Sequence, residues 1–208
     1  MPSILDEVSL IKKRLKKVET IVTNDNGMIS IEKRNDDGSF VITQKDNKKK
    51  KEGFVIDLKP DLEISKVSKN IFLGSQDVAS SLNILNDNNI THIINVSIDV
   101  PDFFPNHFTY LSLRIYDRDD TILDDYITTV NNFIDKAILK DNNSKIFVHC
   151  NAGISRSVSV IIAYFMTSCG LSFNEAYHKV KCVRKTAKPN EGFIRQLKCL
   201  EKKMCINL

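Results

Sequence analysis

Two different rhythms of apolar and polar positions run along this chain. From residue 4 to 22, Ile4, Val8, Ile11, Leu15, Val18 and Val22 recur in steps of four and three, a narrow helical seam. Ser3 stands where an N-cap is wanted and Asp6 and Glu7 occupy the first turn. Lys12, Lys13, Arg14, Lys16 and Lys17 follow toward the other end. The spacing predicts a helix over 3–22, either packed on its own domain or free for docking or dimerisation. Residues 28–32 and 39–43 flank Asn35-Asp36-Asp37-Gly38, which predicts a small β-hairpin. The polar, basic run from Gln44 to Lys51 then reads as a linker, with a domain boundary near Gly53. Residues 1–53 are thus expected to form one region and 54–208 another.

The second rhythm begins past residue 54, where short β-branched runs alternate with longer amphipathic ones, the pattern of an α/β domain. Strands are predicted over 63–67, 70–73, 90–96, 110–115 and 145–149. Helices are predicted over 77–86, 123–139, 155–169, 172–183 and 191–202. Ser172-Phe173-Asn174-Glu175 spells a capping box, and Gly170 suits the end of the helix before it.

Composition narrows the setting. With 208 residues, 42% of them apolar, the chain can bury one sizeable core. No run approaches the roughly 20 apolar residues of a membrane span. The charged N-terminus lacks the apolar core of a signal peptide. Five cysteines at irregular spacing argue against a disulfide scaffold. Thiol chemistry needs a reducing compartment, so cytoplasm or nucleus is the expected location. The net charge of +4 is too small to imply nucleic acid. Residues 1–53 hold 12 Lys/Arg against 9 Asp/Glu, so most of the surplus lies there.

The candidate chemistry sits in His149-Cys150-Asn151-Ala152-Gly153-Ile154-Ser155-Arg156-Ser157. A buried strand leads in, and the apolar run from Val158 to Met166 leads out as a buried helix. Amides of such a loop converge on one point, and the helix dipole adds positive potential there. Surroundings of this kind favour an anion and hold a cysteine as thiolate, below the ordinary thiol pKa of roughly 8.5. Arg156, six residues past Cys150, offers a planar guanidinium to two oxygens of a bound phosphate. The amides of Asn151, Ala152, Gly153, Ile154 and Ser155 complete the expected phosphate cradle.

A thiolate attacking phosphorus needs a proton donor for the leaving oxygen on a separate loop. Asp117, Asp119 and Asp120 compete for that role in Asp117-Arg118-Asp119-Asp120. Ser157 can donate a hydrogen bond to the departing sulfur, and His149 is expected to order the loop. No metal or other cofactor is required. His178 and Cys182 share a helix face, but a tetrahedral site needs two more ligands.

The pattern His-Cys-x-x-Gly-x-Ser-Arg-Ser resembles the signature of the cysteine-dependent protein phosphatases. With Leu73-Gly74-Ser75-Gln76-Asp77, Thr91-His92-Ile93-Ile94-Asn95-Val96, Phe133-Ile134-Asp135 and Pro189-Asn190-x-Gly192-Phe193, residues 56–200 resemble an atypical dual-specificity phosphatase. That resemblance implies a central mixed sheet of about five strands flanked by helices. It also implies hydrolysis of phosphotyrosine and phosphoserine or phosphothreonine through a cysteinyl-phosphate. Register with the family's Phe-Ile-Asp places the acid 16 residues before Phe133, at Asp117. Asn190 falls on a loop-ordering position of the family. Arg184-Lys185 departs from the usual Arg-Pro, a change expected to loosen a turn far from the chemistry.

The implied partner is a phosphoprotein, with the resemblance pointing to a stress-activated MAP-kinase pathway. Neither nucleic acid nor membrane is expected as a partner. The basic run before Ile56-x-Leu58 weakly resembles a kinase-docking peptide, but a solvated linker entering the first strand is the stronger reading of it. Two alternatives follow from the same loop: a phosphosite-binding scaffold of a kinase cascade, and an RNA 5′-triphosphatase. The first usually lacks the Cys, the Arg or the acid. The second ends its loop in Arg-Thr-Gly. The cradle has no lysine of the inositide phosphatase type and the chain no Trp for a Trp-Pro-Asp loop. Fifty-three residues are too few for the carbohydrate-binding domain of a glucan phosphatase.

Overall fold

The computed structural model describes residues 19–23, 29–34, 40–45 and 60–206. The chain divides into two units, Met1–Lys51 and Glu52–Leu208.

In the first unit, β1 (Glu19–Thr23), β2 (Ile29–Arg34) and β3 (Phe40–Lys45) form an antiparallel sheet in that order. β2 and β3 are the expected hairpin, paired from Ile29 against Lys45 to Arg34 against Phe40. The helix predicted over 3–22 is corrected at its end, where Glu19–Thr23 is a strand beside β2. Thr20, Ile21, Val22 and Thr23 are all β-branched and favour a pleated backbone over a helical one. The rest of that helix, residues 3–18, and its docking or dimerisation role lie outside the described residues. The linker expected over 44–51 is corrected at its start, where Gln44 and Lys45 end β3; its remainder, the Asn35–Gly38 turn and the Ile56-x-Leu58 segment lie outside the described residues.

The second unit is built on a five-stranded sheet of β4 (Ser65–Lys66), β5 (Ile71–Gly74), β6 (His92–Asn95), β7 (Thr109–Ser112) and β8 (Ile146–His149). Its spatial order is β4-β5-β8-β6-β7. β4 is antiparallel to β5, and the other four strands run parallel. This is the expected mixed sheet, and each strand lies within the predicted range or a residue or two from it.

Side-chain alternation splits the core in two. Leu73, Ile94 and Val148 face α3 (Asp124–Lys140), α4 (Arg156–Cys169), α5 (Phe173–Val183) and α6 (Glu191–Ile206). Phe72, Ile93 and Phe147 face α1 (Gln76–Ala79) and α2 (Leu82–Asp87) on the opposite side. Both faces of β8 are covered, which is why its sequence is continuously apolar. α4 is buried from Arg156 through Met166 and forms the centre of the larger layer. Each aliphatic side chain it buries contributes roughly 1.5–3 kcal/mol.

The helix predicted over 77–86 is two short ones. The Ser75 hydroxyl accepts from the Asp77 and Val78 amides, and Ser80 Oγ donates back to the Asp77 carbonyl. Hydroxyls that serve the backbone in this way compete with helical continuity, and the chain turns at Ser80-Ser81. The Ser172–Glu175 capping box starts α5, and Gly170 closes α4 at φ 68°.

This topology brings Gly74, His149, Asn95 and Ser112 into one register row at the carboxyl ends of β5, β8, β6 and β7. The crevice beyond that row is where open α/β sheets hold their ligands. Cys150 follows His149 directly into it.

Candidate active site

The loop from Cys150 to Ser155 joins β8 to α4. Its carbonyls are each claimed by a donor outside the cradle. The Gln76 amide donates to Asn151 O at 2.7 Å, and the Lys188 amide to Ile154 O at 2.8 Å. Arg184 Nη2 donates to Ala152 O at 2.9 Å and Nε to Gly153 O at 2.8 Å. The Ser159 amide and hydroxyl both donate to Ser155 O at 2.8 Å. The amides of Asn151–Ser155 donate to no acceptor among the described residues. A loop with its carbonyls tied outward and its amides free is a nest for an anion. Gly153 permits the curl: its φ is +65°, and a Cβ there would lie 2.4 Å from Gly74 O.

Cys150 is buried at the mouth of this loop with Sγ 3.3 Å from Ser157 Oγ. His149 lies wholly buried, stacked on Phe147. Its Nδ1 donates to Cys150 O at 3.2 Å; a carbonyl only accepts, so Nδ1 carries the hydrogen. Burial pushes its pKa down to about 4, so the ring is neutral near pH 7. The neutral, enclosed imidazole thus ties the Cys150 carbonyl to the strand end that precedes the loop.

Arg156, at the N-terminus of α4, is buried. Its Nη2 donates to Asn151 Oδ1 at 2.8 Å. Nη1 reaches Ser97 Oγ and Ile115 O, each at 3.4 Å. Ser97 Oγ also donates to Asn151 Oδ1 in a short bond. Two side chains and a carbonyl therefore hold the guanidinium beside the loop.

Of the three carboxylates, the fold brings Asp117 to the loop. Asp117 Oδ1 accepts from Ser155 Oγ at 2.7 Å and from Asn190 Nδ2 at 2.8 Å. Its Oδ2 lies 3.6 Å from Arg156 Nε. The Asp117 side chain is 22% exposed, whereas Asp119 and Asp120 are 63% and 73% exposed and face Arg195 and Arg118. Asn190 is the junction: its amide donates to Ser155 Oγ at 3.0 Å, and its Oδ1 accepts from the Phe193 amide at 2.8 Å, opening α6.

The fold thus gathers a buried cysteine at the mouth of the loop, an arginine at the head of the helix that follows it and a carboxylate hydrogen-bonded to the loop's Ser155. A profile of the dual specificity phosphatase catalytic domain matches residues 71–203. The chain belongs to that family. It is 39% identical over 143 residues to Dual specificity protein phosphatase 1 of Arabidopsis thaliana, covering 69% of this chain and 71% of that one. Dual specificity protein phosphatase 19 of Mus musculus is 38% identical over 146 residues, 70% of this chain and 66% of its own. The crystal structure of human DUSP28 superposes with a TM-score of 0.65 at 28% identity, covering 72% of this chain and 97% of that one. This is a dual-specificity protein phosphatase.

Three features of this phosphatase's site were not anticipated from its sequence. Ser97 is one. The signal for it was a polar residue just past the carboxyl end of an apolar parallel strand. Arg184 is the second, and it overturns the expectation that residues 184–185 lie far from the chemistry. Lys185 is exposed, but Arg184 is buried against the loop itself. The third is the seat of the Asp117–Asp120 loop and its continuation on α6. Gln196 Oε1 accepts from the Leu123 amide at 2.8 Å, and its Nε2 donates to Thr121 O at 2.7 Å. A Cβ on Gly192 would stand 2.2 Å from Asp119 O, so only glycine lets the loop lie so close. On α5, Cys182 Sγ lies 3.5 Å from His178 Nε2, and among the described residues no third ligand joins them.

Proposed function

We propose that this phosphatase works through a cysteinyl-phosphate in two steps. Cys150 thiolate attacks phosphorus in line, the S–P bond forms and the P–O bond to the substrate breaks. Asp117, protonated, gives its hydrogen to the leaving oxygen, which departs as a neutral alcohol or phenol. The loop amides and Arg156 bind the equatorial oxygens as their charge develops. In the second step water attacks phosphorus, Asp117 carboxylate takes a proton from it, and the S–P bond breaks to release phosphate. Ser157 Oγ–H donates to the sulfur as it leaves, easing its return to thiolate.

The observation that carries this reading is the Ser155–Asp117 hydrogen bond, which puts the acid on the loop that opens with Cys150. We also propose a phosphoprotein of a stress-activated MAP-kinase pathway as substrate, in the cytoplasm or nucleus. The likeness to Dual specificity protein phosphatase 19 and the basic run before Ile56-x-Leu58 support that choice.

The test is rapid-quench turnover with a radiolabelled phosphopeptide, followed by a panel of phosphotyrosine and phosphothreonine peptides taken from kinase activation loops. Label should appear on wild-type protein at Cys150 and be absent from Cys150→Ser. Turnover without a labelled enzyme would reject the covalent route. Equal rates on kinase-derived and unrelated phosphopeptides would reject the proposed substrate.

A further inference from the structure

Arg184 is the largest of the fully buried side chains, and the two steps above give it nothing to do. Burying a guanidinium costs several kcal/mol unless every part of it is paired. Its partners here are a carboxylate and three carbonyls. Nη2 forms a short ion pair with Asp61 Oδ2, and Nη1 donates to Glu63 O at 3.2 Å. The other two acceptors, Ala152 O and Gly153 O, belong to the phosphate loop.

Those two bonds bear on the anion site through the planarity of the peptide. In a trans peptide the C=O of one residue and the N–H of the next point in opposite directions. Pinning Ala152 O and Gly153 O outward therefore pins the amides of Gly153 and Ile154 inward, toward the cradle. Asn151 O and Ile154 O are held by backbone amides. Arg184 is the side chain that holds the middle of the loop, and the fork of its guanidinium suits two adjacent carbonyls. Contact is close: a Cβ on Gly153 would lie 2.7 Å from Arg184 Nη2.

We propose that Arg184, oriented by Asp61, is a positioning residue for the oxyanion cradle. It sets the direction of the Gly153 and Ile154 amides without touching the substrate. The proposal rests on the reading of Cys150–Ser155 as the phosphate loop.

The experiment uses the full chain and orthovanadate as the probe. Vanadate Kd, kcat and KM for an aryl phosphate, the alkylation rate of Cys150 by iodoacetate and the thermal midpoint are measured for wild type, Arg184→Lys and Asp61→Ala. Lysine keeps the charge but lacks the planar fork whose Nε and Nη2 reach the two carbonyls separately. Arg184→Lys should weaken vanadate about tenfold, lower kcat/KM by a similar factor and slow alkylation. Asp61 is partly exposed, so its replacement tests the proposal even where Arg184→Lys does not fold. Removing a negative charge would by itself tighten an anion, whereas loss of orientation should loosen vanadate about threefold. Folded variants that melt earlier yet bind vanadate like wild type overturn the proposal and leave a structural brace. Tighter binding by Asp61→Ala overturns it as well. Wild-type protein that neither binds vanadate nor cleaves the aryl phosphate overturns the phosphate-loop reading, and this proposal with it.

Discussion

Ser155 Oγ donates to Asp117 Oδ1 at 2.7 Å, joining two loops that lie 38 positions apart in the chain. The bond and its neighbour from Asn190 aim one carboxylate at the phosphate loop while Asp119 and Asp120 stay in solvent. Asp117→Asn should lower kcat by roughly 10²–10⁴, the range for a lost proton donor. The loss should shrink for aryl phosphates with good leaving groups, because those need little protonation. Steady-state kinetics across a leaving-group series checks this. Asp119→Asn or Asp120→Asn showing the same dependence would move the assignment to that residue.

Cys150 should be the one thiol that turnover requires. Cys150→Ser should abolish activity yet still bind vanadate, since the amides and Arg156 remain in place. Cys169, Cys182 and Cys199 are exposed, and Ala at each should leave kcat unchanged. Mild peroxide should inactivate reversibly through a sulfenic acid at Cys150, and phosphate in the loop should slow the reaction. Inactivation that phosphate does not slow would place the sensitive thiol elsewhere.

Buried, neutral His149 ties stability to pH. Its pKa falls from 6.5 to about 4 on folding, chiefly through burial. The unfolded chain therefore binds the proton more readily than the folded one. This contribution is complete above about pH 6.5, declines as pH falls toward 4 and then levels off, a change of about 3 kcal/mol in all. His149→Asn can keep a donor near the Nδ1 position without the titration. Subtracting its urea-derived stability curve from that of wild type should isolate the drop between pH 6.5 and 4. Parallel curves would show that His149 does not carry it.

How far the molecule could be read from its residues depended on the distance over which each one acts. The Cys150–Ser157 run was legible because its chemistry is consecutive, and the Ser172–Glu175 capping box and Gly170 were legible because they act within a turn. Asp117 needed the register with Phe133, since three carboxylates in four positions look alike until a fold separates them. The apolar spacing that runs into β1 mimics a helix, and only the β-branching of Thr20–Thr23 points to the strand. Ser97 had only its place past the end of an apolar strand to mark it, and Arg184 and Gln196 gave no local signal, because what each does is decided by a partner tens of residues away.

Gln196 supplies the last test, because it separates positioning of the acid from the acid itself. It clasps the acid loop on both sides, accepting from the Leu123 amide and donating to Thr121 O. Gly192, one helical turn earlier, lets Asp119 lie against α6. None of these contacts touches the phosphate cradle, so weakening them should leave anion binding alone. Gln196→Ala should lower kcat about tenfold on alkyl phosphates and far less on activated aryl phosphates. Its vanadate Kd should match that of wild type. Gly192→Ala should show the same signature more strongly, since its Cβ must displace the Asp119 backbone. The combined variant with Asp117→Asn should be no slower than Asp117→Asn alone, because a misplaced loop costs nothing once its proton donor is gone. Additive losses in that double variant would mean that Gln196 acts on something other than the acid.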